Sequence, residues 1–312
     1  MSAVATSRPF GGALQVAVAA LARDALAVGL KGQLPTNQHY LLDHGIGAGT
    51  LQRALEELRS RRALTTISRG HLGRIVTALD IAAAWRAGGL DPVRLLLPPA
   101  GPVEITALEA VVAEALSGLG IPHTVRHLRG GSLRLAMAQE GEGDLAVVSA
   151  GALAGTGTSF LTRALGIGTY YGPDRIAVVT RRDRSGRPCR IAIDPDSPDH
   201  RALTYGEFPA EPGRTYVAVP FPHVPAAVLD HRADAGIWHI TPSVVPLDAA
   251  GLELRSLATR GGIAAWEDAS EAVLAAGRCR PELRAVVAGL DLSDLKKRQG
   301  EAIAADSGLV AV

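Results

Sequence analysis

The chain has 312 residues, 47% of them hydrophobic and 20% charged, with a formal net charge of +1. That length holds two or three domains with apolar cores, and the composition excludes an acidic disordered chain and a collagen-like one. Cys189 and Cys279 share no CxxC spacing, which excludes a disulfide framework and a cysteine zinc site as organising devices.

The near-neutral total hides an asymmetry. Residues 1–76 carry nine Lys and Arg against four acids, or +5, and the remainder carries −4. A small basic head on a mildly acidic body is the pattern of a polyanion-binding module joined to something else. The longest apolar stretch, Ala13–Gly29, is interrupted at its centre by Arg23 and Asp24, so it is not read as a membrane span. With Arg8 alone before it, it is not read as an export signal either, and the expected location is cytoplasmic.

In chain order, Ala13–Val28 has apolar residues at helical spacing and Gly29 as its stop. Thr36 is placed to cap a short helix through Tyr40–Leu42 that ends at Gly45. Thr50–Arg61 is a third helix, with Leu51, Ala54, Leu55 and Leu58 on one face. The LTTISRGHLGRIV string alternates around a turn, as a hairpin does. Residues 77–91 read as a connecting helix whose apolar face, Ala78–Trp85, is expected to be exposed and to support a homodimer. The expected boundaries are therefore 1–76, a linker helix at 77–91, and 92–312.

From Val93 strands and helices alternate: VRLLLPPA, a helix from Ile105 to Leu119, HTVRHL, a helix through Leu133–Gln139, and DLAVVS. A second such set follows with RIAID, YVAVPF and AGIWHI as its strands. This predicts two α/β lobes with a cleft between them. DRIAVVTRR is expected to cross between the lobes, and LELRSLAT and SEAVLAAG to cross back.

In the head, Leu34-Pro35-Thr36, Gly45-Ile46, Thr50-Leu51-Gln52, Ala54-Leu55 and the wing Gly70 fall at matching spacing with a known pattern. The segment resembles the winged-helix domain of GntR-type transcription regulators, and with the α/β body it is similar to the YhfZ-type branch of those regulators. The resemblance departs at the helix start, where the family's Ser-Arg pair is Gly47-Ala48 and the next Thr is Gly49. It implies double-stranded DNA as a partner, with contacts from Thr36, Gln38, Thr50, Gln52, Arg53 and the wing residues Arg69, Gly70 and His71. Gln52 has the donor–acceptor pair that matches adenine, and Arg53 matches a phosphate or a guanine.

The body resembles a type 2 periplasmic-binding-protein-like domain, the effector module of LysR-type regulators. The expected fold class is thus α/β, an N-terminal winged helix-turn-helix followed by that two-lobed domain. In such folds ligands lie at strand C-termini and helix N-termini. That rule selects Pro98, Ser132, Ser149, Gly151, Asp194, Ser197, Trp238 and Thr241, with Arg129 as an added charge, for a small polar, anionic effector. No HExxH, GxSxG or GxxxxGK[ST] is present, so the sequence assigns no catalytic residue, no metal and no cofactor. The expectation is a regulator and not an enzyme. The competing readings are a solute-binding protein and a two-lobed enzyme of the same fold. The latter would draw on Asp194, Asp196 and Asp199 beside Arg129.

Overall fold

The computed structural model describes residues 12–69, 73–157, 159–242 and 246–310, with side chains to 306. It divides into two compact units. One comprises the chain up to Pro92 with Leu116–Pro122 and Arg280–Leu290, and the other the remaining segments from Val93 to the C-terminal end.

The first unit opens with α1 (Ala13–Val28), whose bounds match the sequence reading. Ala17, Val18, Leu21, Ala25 and Leu26 recur at helical spacing and are buried. The helix stops where Gly29 takes φ +73° and returns its N–H to the Ala25 carbonyl at 2.9 Å. After the short strand β1 (Gln33–Leu34), α2 (Asn37–His44) starts at Thr36, whose hydroxyl accepts from the His39 amide. Gly45 ends α2 in the left-handed region, which makes the tight turn into α3 (Ala48–Ser60).

Helix α3 begins two residues earlier than the sequence reading, with extended Gly47 as its cap. Its Leu51, Ala54, Leu55 and Leu58 are buried, as the spacing requires. The strands β2 (Leu64–Ser68) and β3 (Arg74–Leu79) form an antiparallel hairpin, and β1 pairs with β3 to complete a three-stranded sheet. Asp80 caps α4 (Ile81–Gly88) through its carboxylate. The apolar face of α4 is not exposed. Ala84 and Trp85 are buried, and the Arg280 guanidinium lies over the Trp85 ring at 5.1 Å. Contrary to the expectation of an exposed dimer surface at Ala78–Trp85, this face serves the core of its own unit.

The second unit contains two five-stranded sheets. The first lobe is built from β4 (Val93–Leu97), α5 (Val103–Gly118), β5 (His123–His127), α6 (Gly131–Glu140), β6 (Leu145–Ser149), α7 (Ala150–Ala154) and β7 (Leu161–Ala164). The chain then crosses to β8 (Ile176–Arg181) in the second lobe, followed by β9 (Arg190–Ile193), α8 (Pro198–Glu207), β10 (Thr215–Ala218), α9 (Val224–Leu229), β11 (Ala235–His239), β12 (Leu252–Ser256) and α10 (Arg260–Ala269). It returns through β13 (Ala272–Ala276), which pairs antiparallel with β6 and β7 in the first sheet. Helix α11 (Leu283–Gly289) belongs to the first unit, and α12 (Leu295–Val310) closes the second.

The sheet orders are β5-β4-β6-β13-β7 and β10-β9-β11-β8-β12. Each is parallel in its first three strands and antiparallel where the crossing strand enters. Residues 145–149, 191–193, 235–238 and 272–276 are buried, as continuous apolar strands covered on both faces are. One expectation is corrected: the LELRSLAT strand does not cross back. It pairs with β8 along the second sheet, supported by the Thr180 hydroxyl donating to Glu253, and only β13 returns.

Helices α8 and α10 approach closely because Gly206 faces Gly261. A methyl built on Gly206 would lie 2.5 Å from the Gly261 carbonyl oxygen. Gly206→Ala is expected to destabilise the protein by about 1–3 kcal/mol, since backbone must move to admit it. Urea unfolding checks this, as a lower midpoint at an unchanged slope.

Candidate functional site

Within the second unit, the C-terminal ends of β4, β5, β9 and β11 open onto a cavity of about 620 Å³. The first lobe contributes Pro98–Pro102, Ile105, Arg129–Arg134 and Ala152. Tyr170 and Tyr171 come from the crossing segment. The second lobe contributes Asp194, Asp196–Asp199, Phe221, Pro222, Trp238, His239, Thr241 and Pro242. This is the position that the strand-end rule assigns to ligands in open α/β sheets.

Asp194, just past β9, is fully buried. Its carboxylate accepts from Arg129 Nη2 at 2.8 and 3.0 Å and from the amides of Asp196 and Phe221. Arg129 comes from the first lobe, so this ion pair ties the lobes across the cavity. The Asp194 amide donates to His200 Nδ1 at 2.8 Å, which leaves the imidazole proton on Nε2, donating to the Ile237 carbonyl at 2.9 Å. Burial lowers the pKa of His200 to about 4, so the ring is neutral at pH 7.

A second tie joins Ser149 to Asp199. Ser149 accepts from the Ala152 amide as the cap of α7, and donates to Asp199 Oδ2 at 2.6 Å. The Tyr171 hydroxyl donates to the same oxygen at 3.1 Å. Burial raises the Asp199 pKa, and the two hydroxyls and the charge of Arg134 oppose that rise. A third cluster gathers Glu104 of α5, Arg175 before β8, His239 at the end of β11 and Asp306 of α12. Glu104 accepts from His239 at 2.9 Å, and Arg175 pairs with Asp306 at 2.8 Å. Burial works to raise the Glu104 pKa, but the His239 hydrogen bond and the Arg175 charge outweigh it, so the carboxyl is held below its ordinary range.

Of the sequence-selected residues, Pro98, Ser132, Asp194, Ser197, Trp238 and Thr241 come together on the cavity wall. Ser149 and Gly151 do not line it. Ser149 is fully buried behind the wall, and Gly151 packs on Asp199 from α7. Ser197 accepts from the His200 amide as the cap of α8, and Ser132 is an exposed residue of α6 whose cap is Gly130. Arg129, expected to offer a free charge, is engaged by Asp194. Sequence reasoning missed Arg134, Tyr170 and Tyr171. The one signal for the tyrosines is their doublet in the segment between DLAVVS and DRIAVV, which had to pass the cleft to change lobes. Among the described residues no cluster of three His, Cys, Asp or Glu side chains is placed to hold a metal.

In the first unit, Gln38, Gln52, Arg53 and Arg69 are exposed, and Thr50 is half-buried. Arg74 of the hairpin donates to the Gln52 side chain at 3.3 Å, and Arg53 folds back on Thr50 at 3.4 Å. Thr36 caps α2, so its hydroxyl already has a partner. Gly70 and His71 lie outside the described residues.

The second unit is a two-lobed, mixed α/β fold with a ligand-sized cavity between its two sheets. Residues 80–307 match the family described as the YhfZ C-terminal domain, and the chain belongs to that family. A YhfZ protein of Escherichia coli K12 is 27% identical over 198 residues, covering 61% of this chain and 62% of that relative. The chain thus spans less than two thirds of that protein's length. The crystal structure of YhfZ from Shigella flexneri is 23% identical, covers 70% of this chain and 92% of its own, and gives a TM-score of 0.54. The alkanesulfonate-binding protein SsuA of Xanthomonas axonopodis pv. citri, bound to MOPS, is 16% identical over 71% of this chain and 80% of its own, with a TM-score of 0.47. Among the described residues no helix is long and apolar enough to cross a membrane.

The neutral, buried His200 carries a pH dependence. Its folded pKa lies below the unfolded value near 6.5, so its contribution to stability is complete above that pH and is lost as pH falls toward about 4. The expected loss is about 3 kcal/mol across that interval. His200→Gln is expected to flatten this part of the profile, as denaturant titrations between pH 7 and 4 would reveal.

Proposed function

We propose that the chain is a DNA-binding transcription regulator whose two-lobed unit senses a small, polar, anionic molecule, and that it catalyses no reaction and needs no cofactor. The observation that carries this reading is the cavity of about 620 Å³ walled by both lobes, which the Arg129–Asp194 and Ser149–Asp199 bonds join. A ligand that touches both walls stabilises one arrangement of the lobes over another, and such a population shift is what a sensor transmits. The residues that match the YhfZ C-terminal domain family, 80–307, include the whole lining of this cavity.

The first unit is the reading head in this proposal. Its order of α1, β1, α2, α3 and the β2–β3 hairpin is that of a winged helix-turn-helix, with α3 as the recognition helix and the hairpin as the wing. The exposed Gln52 and Arg53 are the side chains on α3 that reach a base edge or phosphate, and Arg69 and Arg74 add positive charge at the hairpin. The acting form is a homodimer on two half-sites about one helical turn apart. The cytoplasm is where such a protein meets DNA.

Catalysis in the cleft is the second reading, favoured by Asp194, Asp196 and Asp199 lining one cavity beside Arg129. Their engagements count against it. Asp194 is held by a guanidinium and two amides, Asp196 projects into solvent, and Asp199 is bonded to a serine buried behind the wall. Among the described residues, two of these three carboxylates are thus already engaged by partners, which leaves less of the convergent geometry that acid–base or covalent chemistry needs.

Selection of full-length protein on a randomised duplex pool at two salt concentrations tests the proposal. Enrichment of a palindromic motif with a steep salt slope is expected. Arg53→Ala is expected to weaken binding and to lower the slope of log affinity against log salt by about 1 if the arginine meets a phosphate. Equal behaviour of that variant removes Arg53 from the interface. Failure to retain any duplex overturns the reading of the head.

A further inference from the structure

Arg134, the fourth residue of α6, is a buried charge on the cavity wall, with 1% of its surface exposed. Its Nε donates to the Val147 carbonyl at 2.9 Å, Nη1 to the Leu128 carbonyl, and Nη2 to the Tyr170 hydroxyl at 2.8 Å. Among the described residues these partners are all neutral, and no carboxylate forms an ion pair with it. A guanidinium has five N–H donors, so two remain. Tyr170 accepts from Arg134 through its oxygen, and no acceptor among the described residues takes its own hydrogen. Burial raises the Tyr170 pKa, so that hydrogen stays in place at neutral pH.

Among the described residues no carboxylate is bonded to this buried cation, and the charge of Asp199 reaches it only from beyond ion-pair distance, so the cost of burying it falls when an anion arrives. Two guanidinium N–H groups and a phenolic O–H are the donors that the two oxygens of a carboxylate accept. We propose that Arg134 and Tyr170 anchor the effector's charged group, and that the effector is a monocarboxylate on an apolar body. This rests on the reading of the cleft as an effector site. A dianion such as phosphate is disfavoured because Asp194, Asp196 and Asp199 line the same cavity. Trp238, Phe221 and Ile105 give the wall an apolar part suited to the body of such a ligand.

The test uses full-length protein and four probe sets: benzoate, phenylacetate and hexanoate; their primary amides; phenyl phosphate; and phenethylamine. Thermal shift and calorimetry are the readouts. At least one carboxylate is expected to bind, with its amide silent and phenyl phosphate weaker. Tyr170→Phe keeps the carbonyl bonds of Arg134 and is expected to lower carboxylate affinity about tenfold, the weight of one hydrogen bond to a charged group. Arg134→Lys, which keeps the charge but not the fork, is expected to lower it at least as far. Carboxylate binding that survives both substitutions puts the anchor elsewhere. Binding by amides, phosphate or amine with the carboxylates silent overturns this inference and leaves the cleft reading standing. Silence from every probe counts against both.

Discussion

The cleft depends on one buried negative charge. Asp194 has no exposed surface, and a lone carboxylate in that position would be untenable. Arg129 from the opposite lobe neutralises it, and the amides of Asp196 and Phe221 complete its shell. Those partners fix the loop that leads into α8, the 3-10 turn at Phe221–His223 and the end of β5 in one geometry. His200, behind the carboxylate, accepts the Asp194 amide at Nδ1 and donates its Nε2–H to the Ile237 carbonyl of β11. The walls of the cavity therefore come from one connected set of hydrogen bonds rather than from independent loops.

Much of this architecture is written in local signals. Gly29 and Gly45 end α1 and α2 because only glycine enters the left-handed or extended-positive region without strain, and Thr36, Ser149 and Ser197 start helices where their hydroxyls accept an amide. The apolar runs VRLLL, LAVVS and AGIWH are buried strands because helices cover both faces. Other features depend on partners distant in sequence. Trp85 reads as an exposed apolar residue until Arg280, nearly two hundred positions later, is laid over it. Arg129 reads as an added charge for the ligand until Asp194 is placed beside it, and nothing local to Arg134 foretells the three acceptors that converge on it. Periodicity reports which face of an element is apolar, but not which charge on another element meets it.

The chemistry of the cavity separates groups already committed from groups still open. Arg129, Asp194 and the Ser149–Asp199–Tyr171 set are joined to one another, so they hold the lobes. Arg134 and Tyr170 keep donors that no acceptor among the described residues takes, so in the proposed sensor they face the ligand. Recognition and lobe closure are thus assigned to different residues in one site. In the proposed sensor, a ligand that engages the second group leaves the first intact, so binding favours this arrangement of the lobes rather than competing with it. In the proposed regulator, that arrangement is the state whose population the effector changes.

The central claim is that Asp194 organises both walls of the cleft, and amide hydrogen exchange on the full-length protein tests it most directly. Asp194→Ala is compared with the parent chain. Protection is expected to fall at residues 194–200 and 221–223 and also at 129–134 in the other lobe. The strand interiors 145–148 and 235–237 and the helices α1 and α3 are expected to keep theirs. Loss confined to 194–200, with 129–134 unchanged, would contradict the claim and reduce the ion pair to a surface contact between lobes that are set independently.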